Sequence, residues 1–480
     1  MRFEGFCSGS YTAQSSLADA ERTVNWYPVK VGSRYAKARI ILCPSPGFST
    51  FCTTGAVGGR ALFTMNNRTL GIIGGSFGEV FSNRTFTPYG TVAQDGNPAT
   101  ITMNGTVGNQ AFATSGNNGY ALDLATNAVT LVLTGQSLMA GMLDGYFLNF
   151  DGLTGRLYVS DINSTVFDPT QFVQRTSAPD TWKAMIVNPP DIWLIGSLSG
   201  DVFYDAGTFP FPLAQRVGLN FKYGIGSPFS LAAQGTSVMW LSQTTEGAGI
   251  VVRTQGYQPV RVSTDAVETK IAEYARATTI NDAEAFMYQE QGHTFYVLRF
   301  PTANATWVYD IEMEQWHERT YWNAAQNRED AWKARVHTFA FGQHLTADPS
   351  TGTISTMSST NPTELDGAVI RRIRRSPGVF TEHRNIPIRV WEIYLEAGTS
   401  LQSGQGSDAV VMARTSDDGG KTWAGEQWKS IGLVGQYDTR VRFFQMGIPE
   451  DRVYELVVTD PLTTWFIVDS YLNNDTGRAA

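Results

Sequence analysis

Short apolar or aromatic runs, each followed by a Gly-, Asn- or Thr-rich turn and a second run, recur along most of this 480-residue chain. They begin near Ala61 (ALFTMNNRTLGIIGG), Asn109 (NQAFATSGNNGYALDL), Gly145 (GYFLNFDGLTGRLYVSD), Asp191 (DIWLIGSLSGDVFYDAG), Ser237, His293 (HTFYVLRFPTANATWVYD) and His337. Each reads as a β-hairpin, because turn residues break two runs that suit a half-buried pleat. Successive starts lie 48, 36, 46, 46, 56 and 44 residues apart. A four-stranded blade cannot bury both faces alone, so blades of about 40–50 residues stack around an axis. The spacing therefore predicts a β-propeller of six or seven blades over residues 61–360. The units share little in their letters, which leaves a long β-sandwich or stacked meander as the alternative.

Composition agrees with a mainly β chain: 47 glycines and 12% aromatic residues suit many turns and many half-buried strands. Helical patterns are short. Val267–Thr278 places Ile271 and Tyr274 on one face, and Ser16–Thr23 reads as an N-capped turn. A single core stops growing near ~250–300 residues, so a second domain is expected. After Asn361 the texture changes to clear strands at 388–397, 409–415, 452–458 and 465–472. In the first, Arg389, Trp391, Ile393 and Leu395 share one face. Residues 361–480 read as a separate antiparallel β-sandwich with one Asp-box hairpin, and 1–60 as an extended N-terminal segment packed on the body.

The formal charge of −8 and pI near 5.3 argue against a protein that coats DNA through a basic surface. They do not exclude a channel through which DNA passes. Cys7, Cys43 and Cys52 form no even framework and read as buried free thiols of a reducing compartment. The start MRFEGFC lacks the apolar core of a signal peptide, and no stretch reaches the ~18 apolar residues of a membrane span. These features predict folding in a cytoplasm without membrane insertion, and make the sequons at Asn67, Asn83, Asn104, Asn163 and Asn304 ordinary polar turns.

Ser416-Asp417-Asp418-Gly419-Gly420-Lys421-Thr422-Trp423 matches the Asp-box pattern Ser-x-Asp-x-Gly-x-x-Trp. Asp boxes decorate sialidase propellers, yet the physics of the box is local. Ser416 and Asp418 bond turn N–H groups, Gly420 supplies a positive φ and Trp423 packs back on the hairpin. One box outside the repeated region predicts a structural turn. Gly420-Lys421-Thr422 is no phosphate loop, since Thr415 stands where that pattern needs glycine and no helix follows. His293, His317, His337, His344 and His383 show no zinc-ligand spacing with a third partner. Asp310, Glu312 and Glu314 read as solvated acids, and nothing singles out the carboxylate pair of a glycosidase or a Gly-x-Ser-x-Gly elbow. No catalytic, cofactor-binding or metal residue is therefore nominated. Arg371, Arg372, Arg374 and Arg375 form a basic run ended by Ser376-Pro377-Gly378, which reads as a charged interdomain linker. It is also the candidate contact for a partner or a phosphate.

Three stretches together resemble the packaged-DNA-stabilising tail hub family of short-tailed bacteriophages, also called nozzle or head-completion proteins. The first is AERTVNWYP (20–28) followed by CPSPG (43–47), similar to the family's Asn-x-Tyr-Pro and Thr-Pro-Gly opening, with Trp26 and Ser45 as local departures. The second runs from YVSD (158–161) through IWLIG (192–196), Gly256-Tyr257 and RVST (261–264) to GHTFYVLRFPTANATW (292–307) and Trp316-His317-Glu318. The third joins the Asp box to Gly435-Gln436-Tyr437, Arg440, Gly447, DRVYE (451–455) and Asp460-Pro461.

The resemblance implies a virion tail protein, assembled in the host cytoplasm as a homo-hexameric ring below portal and adaptor rings. Tail fibres or spikes and a needle or plug would be its neighbours, and DNA would pass through its channel. It carries no catalytic residues to transfer. A tail-borne glycan-binding or glycan-cleaving propeller and a plain interaction module are the competing readings. The first of these needs an arginine or carboxylate cluster that the sequence does not display.

Overall fold

The computed structural model describes residues 2–176, 178–209, 211–243, 249–380 and 385–473. His383 lies outside them. The recurring hairpin runs are strands buried on nearly every position. His293–Phe300, for example, pairs antiparallel with Glu284–Glu290 on one side and Ala305–Asp310 on the other. Strands covered on both faces read as continuous apolar runs, which is why these stood out in the sequence.

Each run belongs to one of seven antiparallel blades among the described residues, six of them separate four-stranded sheets and one, residues 284–318, the end of an eleven-stranded sheet. Their innermost strands are Gly59–Met65, Thr100–Met103, Met139–Leu143, Trp182–Asn188, Ala232–Gln234, Glu284–Glu290 and Val336–Ala340. Each innermost strand lies against the next, and the seventh returns to the first. There the Thr338 hydroxyl donates to Thr64 Oγ1 at 2.8 Å. This closed ring is a seven-bladed β-propeller, and it excludes a sandwich or meander for this region. In blades two to six the sequence units begin at or beside the second strand. The innermost strands are too short or too mixed to announce themselves, as with Ala232–Gln234.

Residues 2–60 do more than pack on the body. Gly47–Thr53 is the fourth strand of blade seven, paired with Thr353–Ser358 from Thr353↔Thr53 to Ser358↔Gly47. The ring is thus closed by joining strands about three hundred residues apart in the chain. Gly47 sits where a Cβ would fall 2.4 Å from the Asn361 carbonyl and 2.5 Å from that of Thr363, so no side chain fits. Upstream, Ala20–Val24 pairs in parallel with the outer strand of blade six at Val24↔Glu318 and antiparallel with Arg372–Arg375. The stretch read as an N-capped turn at 16–23 is therefore a turn running into a strand. Asn25 then turns the corner at φ 55°. Its side chain donates to the Thr320 and Arg371 carbonyls at 3.0 and 2.8 Å and accepts from Thr320 N at 3.0 Å. After that corner Trp26–Lys30 enters a different sheet.

The C-terminal region is a two-sheet sandwich, but it is not a separate body. One sheet continues from blade six through Ala20–Val24 to Arg372–Arg375, Asp451–Val458, Val410–Ser416 and Gln427–Ser430. The other orders Trp26–Lys30, Ile40–Pro44, Ile467–Asn473, Val390–Leu395 and Val441–Phe444. Phe6, Trp26, Trp391, Phe443, Tyr454 and Trp465 fill the space between them. Trp391 and Ile393 point inward as the alternation predicts, while Tyr394 is exposed. The basic run is a central strand of this sheet, which corrects its reading as a linker.

The helix Asp265–Ala277 is capped by Thr264 and lays Val267 and Ile271 against blades five and six. Among the described residues no helix is long and apolar enough to cross a membrane.

Candidate functional site

A strand alternates its side chains, and that alternation splits the arginine run in two. Arg372 and Arg374 point inward and are 1% and 0% exposed. Arg374 donates to the carbonyls of Gly5, Phe6 and Gly9 at 2.8, 2.5 and 3.0 Å. It also donates to Ser8 Oγ, Thr23 Oγ1 and Glu21 Oε1, at 2.9, 2.9 and 2.6 Å. It is the keystone holding the N-terminal loop to the sheet. Arg372 donates to the Ile370 carbonyl at 3.4 Å, and burial pushes its pKa down to about 10. Neither arginine is presented to a partner or a phosphate from this surface, which corrects that part of the expectation.

Arg371 and Arg375 point the other way and stay partly open. Across the strands, Arg22 stands opposite Arg375, Arg375 opposite Glu455, and Glu455 opposite Arg414. Like charges directly opposite would repel, so carboxylates intervene. Glu329 accepts from Arg22 at 2.6 Å and from Arg371 at 3.2 Å. Glu455 accepts from Arg375 at 2.8 Å and from Arg414 at 2.7 Å. The result is a polar cleft of about 360 Å³ between the sandwich and the two-stranded hairpin Thr320–Asn323/Arg328–Ala331, which puts Trp322 and Arg328 on its far wall.

The Asp box borders the same arginines. Ser416 Oγ donates to Asp418 Oδ1 at 2.7 Å, and Gly420 N donates to Ser416 Oγ at 2.8 Å. Asp418 also accepts from Lys421 N, Thr422 N and Thr422 Oγ1 at 2.6–2.9 Å. These donors, the Thr422 hydroxyl first, hold its carboxyl well below the usual range. Gly420 has φ +87°, and a Cβ there would meet the Trp423 ring at 3.3 Å. Trp423 lies under two guanidinium groups, Arg375 at 4.9 Å and Arg414 at 4.5 Å from the ring centroid. The Ser416 and Asp418 side chains are thus spent on the turn, Asp417 accepts from Arg452, and the tryptophan positions arginines. Asp418→Ala should lower the melting temperature of the sandwich, since four turn donors lose their acceptor. A variant that melts like the parent would remove the structural role.

Between the innermost strands of the propeller lies a cavity of about 470 Å³ lined by Met65, Met103, Met139, Met142 and Met185 among others. Among the described residues that line it, Glu284 is the one carboxylate. It is 3% exposed and paired with Arg299 at 2.6 Å and Arg335 at 2.8 Å.

The described histidines, His293, His317, His337 and His344, gather where blades six and seven meet. His337 Nε2 lies 3.0 Å from His344 Nδ1. Burial pushes His337 down to about 3 and holds fully buried His317 well below its ordinary value. His293 moves the other way through its 2.7 Å bond to Asp310. His293, Asp310 and Glu312 bring three potential ligand atoms within 4.8 Å of one another. The hairpin joining 293–300 to 305–310 creates this proximity, which linear spacing did not reveal. Asp310 also accepts from Glu312 N, and Glu312 accepts from Thr294 N and its hydroxyl.

Neutral buried histidines set a pH dependence. The unfolded chain protonates His337 below about 6.5, whereas the folded chain does not until about 3. Unfolding then takes up a proton, so stability falls as pH drops through that window. His337→Phe should flatten the slope of stability between about pH 6 and 4 by about 1.4 kcal/mol per pH unit. Denaturation series across that range check it, and an unchanged slope would refute the assignment.

The family described as bacteriophage P22 Gp10, beta-propeller, matches residues 7–361. No curated protein matches significantly. Among solved structures, the extracellular domain of a one-component system from B. thetaiotaomicron is 8% identical, with a TM-score of 0.42 over 80% of this chain and 47% of that one. A chain of the mitotic checkpoint complex is 9% identical, with a TM-score of 0.39 over 62% of this chain and 88% of its own. An exo-beta-1,3-galactanase from Phanerochaete chrysosporium is 6% identical at a TM-score of 0.28, over 89% of this chain and all of the galactanase chain.

Proposed function

The chain belongs to the bacteriophage P22 Gp10 β-propeller family of phage DNA-stabilising structural proteins, and from that premise we propose that it is the tail hub, or nozzle, of a short-tailed phage. The family match over 7–361 is the observation that carries the reading. In this reading six copies form a ring that completes the head–tail connector, retains packaged DNA and later becomes the channel for ejection. A ring presents the same loops to the axis from every subunit, so modest contacts repeat with cyclic symmetry. The net charge of −8 favours a gate that holds DNA by shape, since a strongly basic lining would bind the phosphates and slow ejection. Neighbours are the adaptor and portal on one side, with fibres or spikes and a needle or plug on the other. Assembly takes place in the host cytoplasm, and the product is part of the virion tail.

The hub acts without catalysis. A glycosidase needs two carboxylates about 5–9.5 Å apart at an open site. The axial cavity instead offers methionines and one glutamate already claimed by two arginines. In the Asp box, Ser416 and Asp418 are occupied by their own turn and Asp417 by Arg452.

Heads assembled without the protein should package DNA and then lose it. DNA content of purified particles over time is the measurement. Particles that keep DNA as stably as complete virions, and fail only in adsorption, would leave a fibre-anchoring role in place of the gate.

A further inference from the structure

We propose that the arginine cleft between the 320–331 hairpin and the sandwich is a docking slot for an acidic peptide segment of a partner protein. Five arginines line it (Arg22, Arg328, Arg371, Arg375 and Arg414) against two glutamates, Glu329 and Glu455. Glu318, which accepts from Arg22 at 2.8 and 2.7 Å, and Asp330, which accepts from Arg328 at 2.7 Å, bring the carboxylates to four, so the cleft keeps an excess of positive charge in a chain whose formal charge is −8. No lysine lines the cleft among the described residues. That choice matters, because a guanidinium offers five donors in a planar fork that fits a carboxylate bidentately, whereas an ammonium is a point charge.

The arginines are fixed in advance. Arg371 stacks over Trp322 at 4.5 Å, and Arg375 and Arg414 stack over Trp423. Each lining glutamate is shared by two arginines, so the carboxylates orient the guanidiniums without saturating them. Arg371 has Glu329 as its hydrogen-bond acceptor, through Nη1 alone, and Arg328 has Asp330, through Nε alone. The Arg328 side chain is 59% exposed at the mouth. A site whose donors are already oriented loses little freedom on binding.

Charge complementarity selects the occupant. A duplex presents a continuous line of phosphates, about one charge per 1.7 Å of axis, which would set some of them against Glu329 and Glu455. A peptide spaces its carboxylates and can place them on Arg328 and Arg371 while neutral residues pass the glutamates. About 360 Å³ of space accommodates a few side chains of such a segment.

The test titrates a labelled oligoglutamate peptide against the full-length protein by fluorescence anisotropy, with inorganic phosphate and a short DNA duplex as competitors. Binding should weaken with salt and fall about tenfold or more in the double variant Arg328→Gln/Arg371→Gln, the loss expected for one charged bond or more. Arg22 still holds Glu329 in that variant, so its melting temperature should stay near that of the parent. Glu329→Gln should tighten binding by removing a negative wall, a gain that damage to the fold would not produce. Absence of peptide binding, binding indifferent to the double variant, or displacement by the duplex in preference to free peptide would each overturn the proposal. The ring could stand or fall independently, since it is read from particles and this from the isolated chain.

Discussion

Arg374→Met should cost the folded protein about 3–5 kcal/mol, while Arg375→Met, its neighbour on the same strand, should cost about 1 kcal/mol. The difference comes from which face of the sheet each side chain takes. Arg374 is fully buried, and its guanidinium serves six acceptors, three of them backbone carbonyls of Gly5, Phe6 and Gly9. Methionine matches its length but takes the guanidinium donor from the Phe6 carbonyl and leaves Gly5, Gly9 and Glu21 only the Ser8 and Thr23 hydroxyls, and buried groups short of donors carry the penalty of their lost hydration. Arg375 has a side chain 19% exposed, and its partner Glu455 is still held by Arg414 when it is removed. Domains of this kind are stable by about 5–15 kcal/mol, so the first variant loses a large share of its margin and the second does not. Chemical denaturation of both variants measures it. Equal losses would mean that the run acts as undifferentiated surface charge.

That contrast also marks the limit of the sequence. Arg-Arg-Ile-Arg-Arg at 371–375 looks like a solvated linker by composition, yet its two faces meet different chemistry. The partners that decide this, Glu21 and Glu455, are 353 and 80 residues away, so the pairing is invisible to local inspection. Local features fared better. The Asp box, the helix after Thr264 and the strands around Trp391 and Val411 depend on near neighbours, and all are where periodicity and turn chemistry put them. The repeat was legible as six or seven blades because the second strands of blades two to six are buried on nearly every position. The blade boundaries were not, since an inner strand such as Ala232–Gln234 offers only three residues. The cleft needed both the alternation of the basic run and the return of the chain from Trp423, and neither motif alone pointed to the other.

A chain beginning at Val57 should fail to form either the closed propeller or the sandwich, although most of the blade sequence remains. The N-terminal residues serve three sheets. Without Gly47–Thr53, blade seven keeps three strands, and Thr353–Ser358 is left as an open edge that invites pairing with other chains. Without Ala20–Val24, the bridge between blade six and Arg372–Arg375 is gone, and Arg374 is buried with no acceptors from Gly5 to Glu21. Without Trp26 and Leu42, both 0% exposed, the sandwich core opens a cavity that a single such residue would make worth about 3–5 kcal/mol. These losses exceed the ~5–15 kcal/mol that holds a domain together. A chain ending at Asn361 makes the opposite comparison: it keeps all seven blades and their closing strand, and loses only the sandwich partners. The first truncation should show no cooperative melt and no near-ultraviolet circular dichroism, whereas the second should keep a melting propeller that resists limited proteolysis over 59–358. A cooperative transition in the chain starting at Val57 would show that the propeller closes without its N-terminal strand. In that case the joining of distant strands would be an attachment of the N-terminus, with ring closure resting on the contact between Val336–Ala340 and Gly59–Met65 alone.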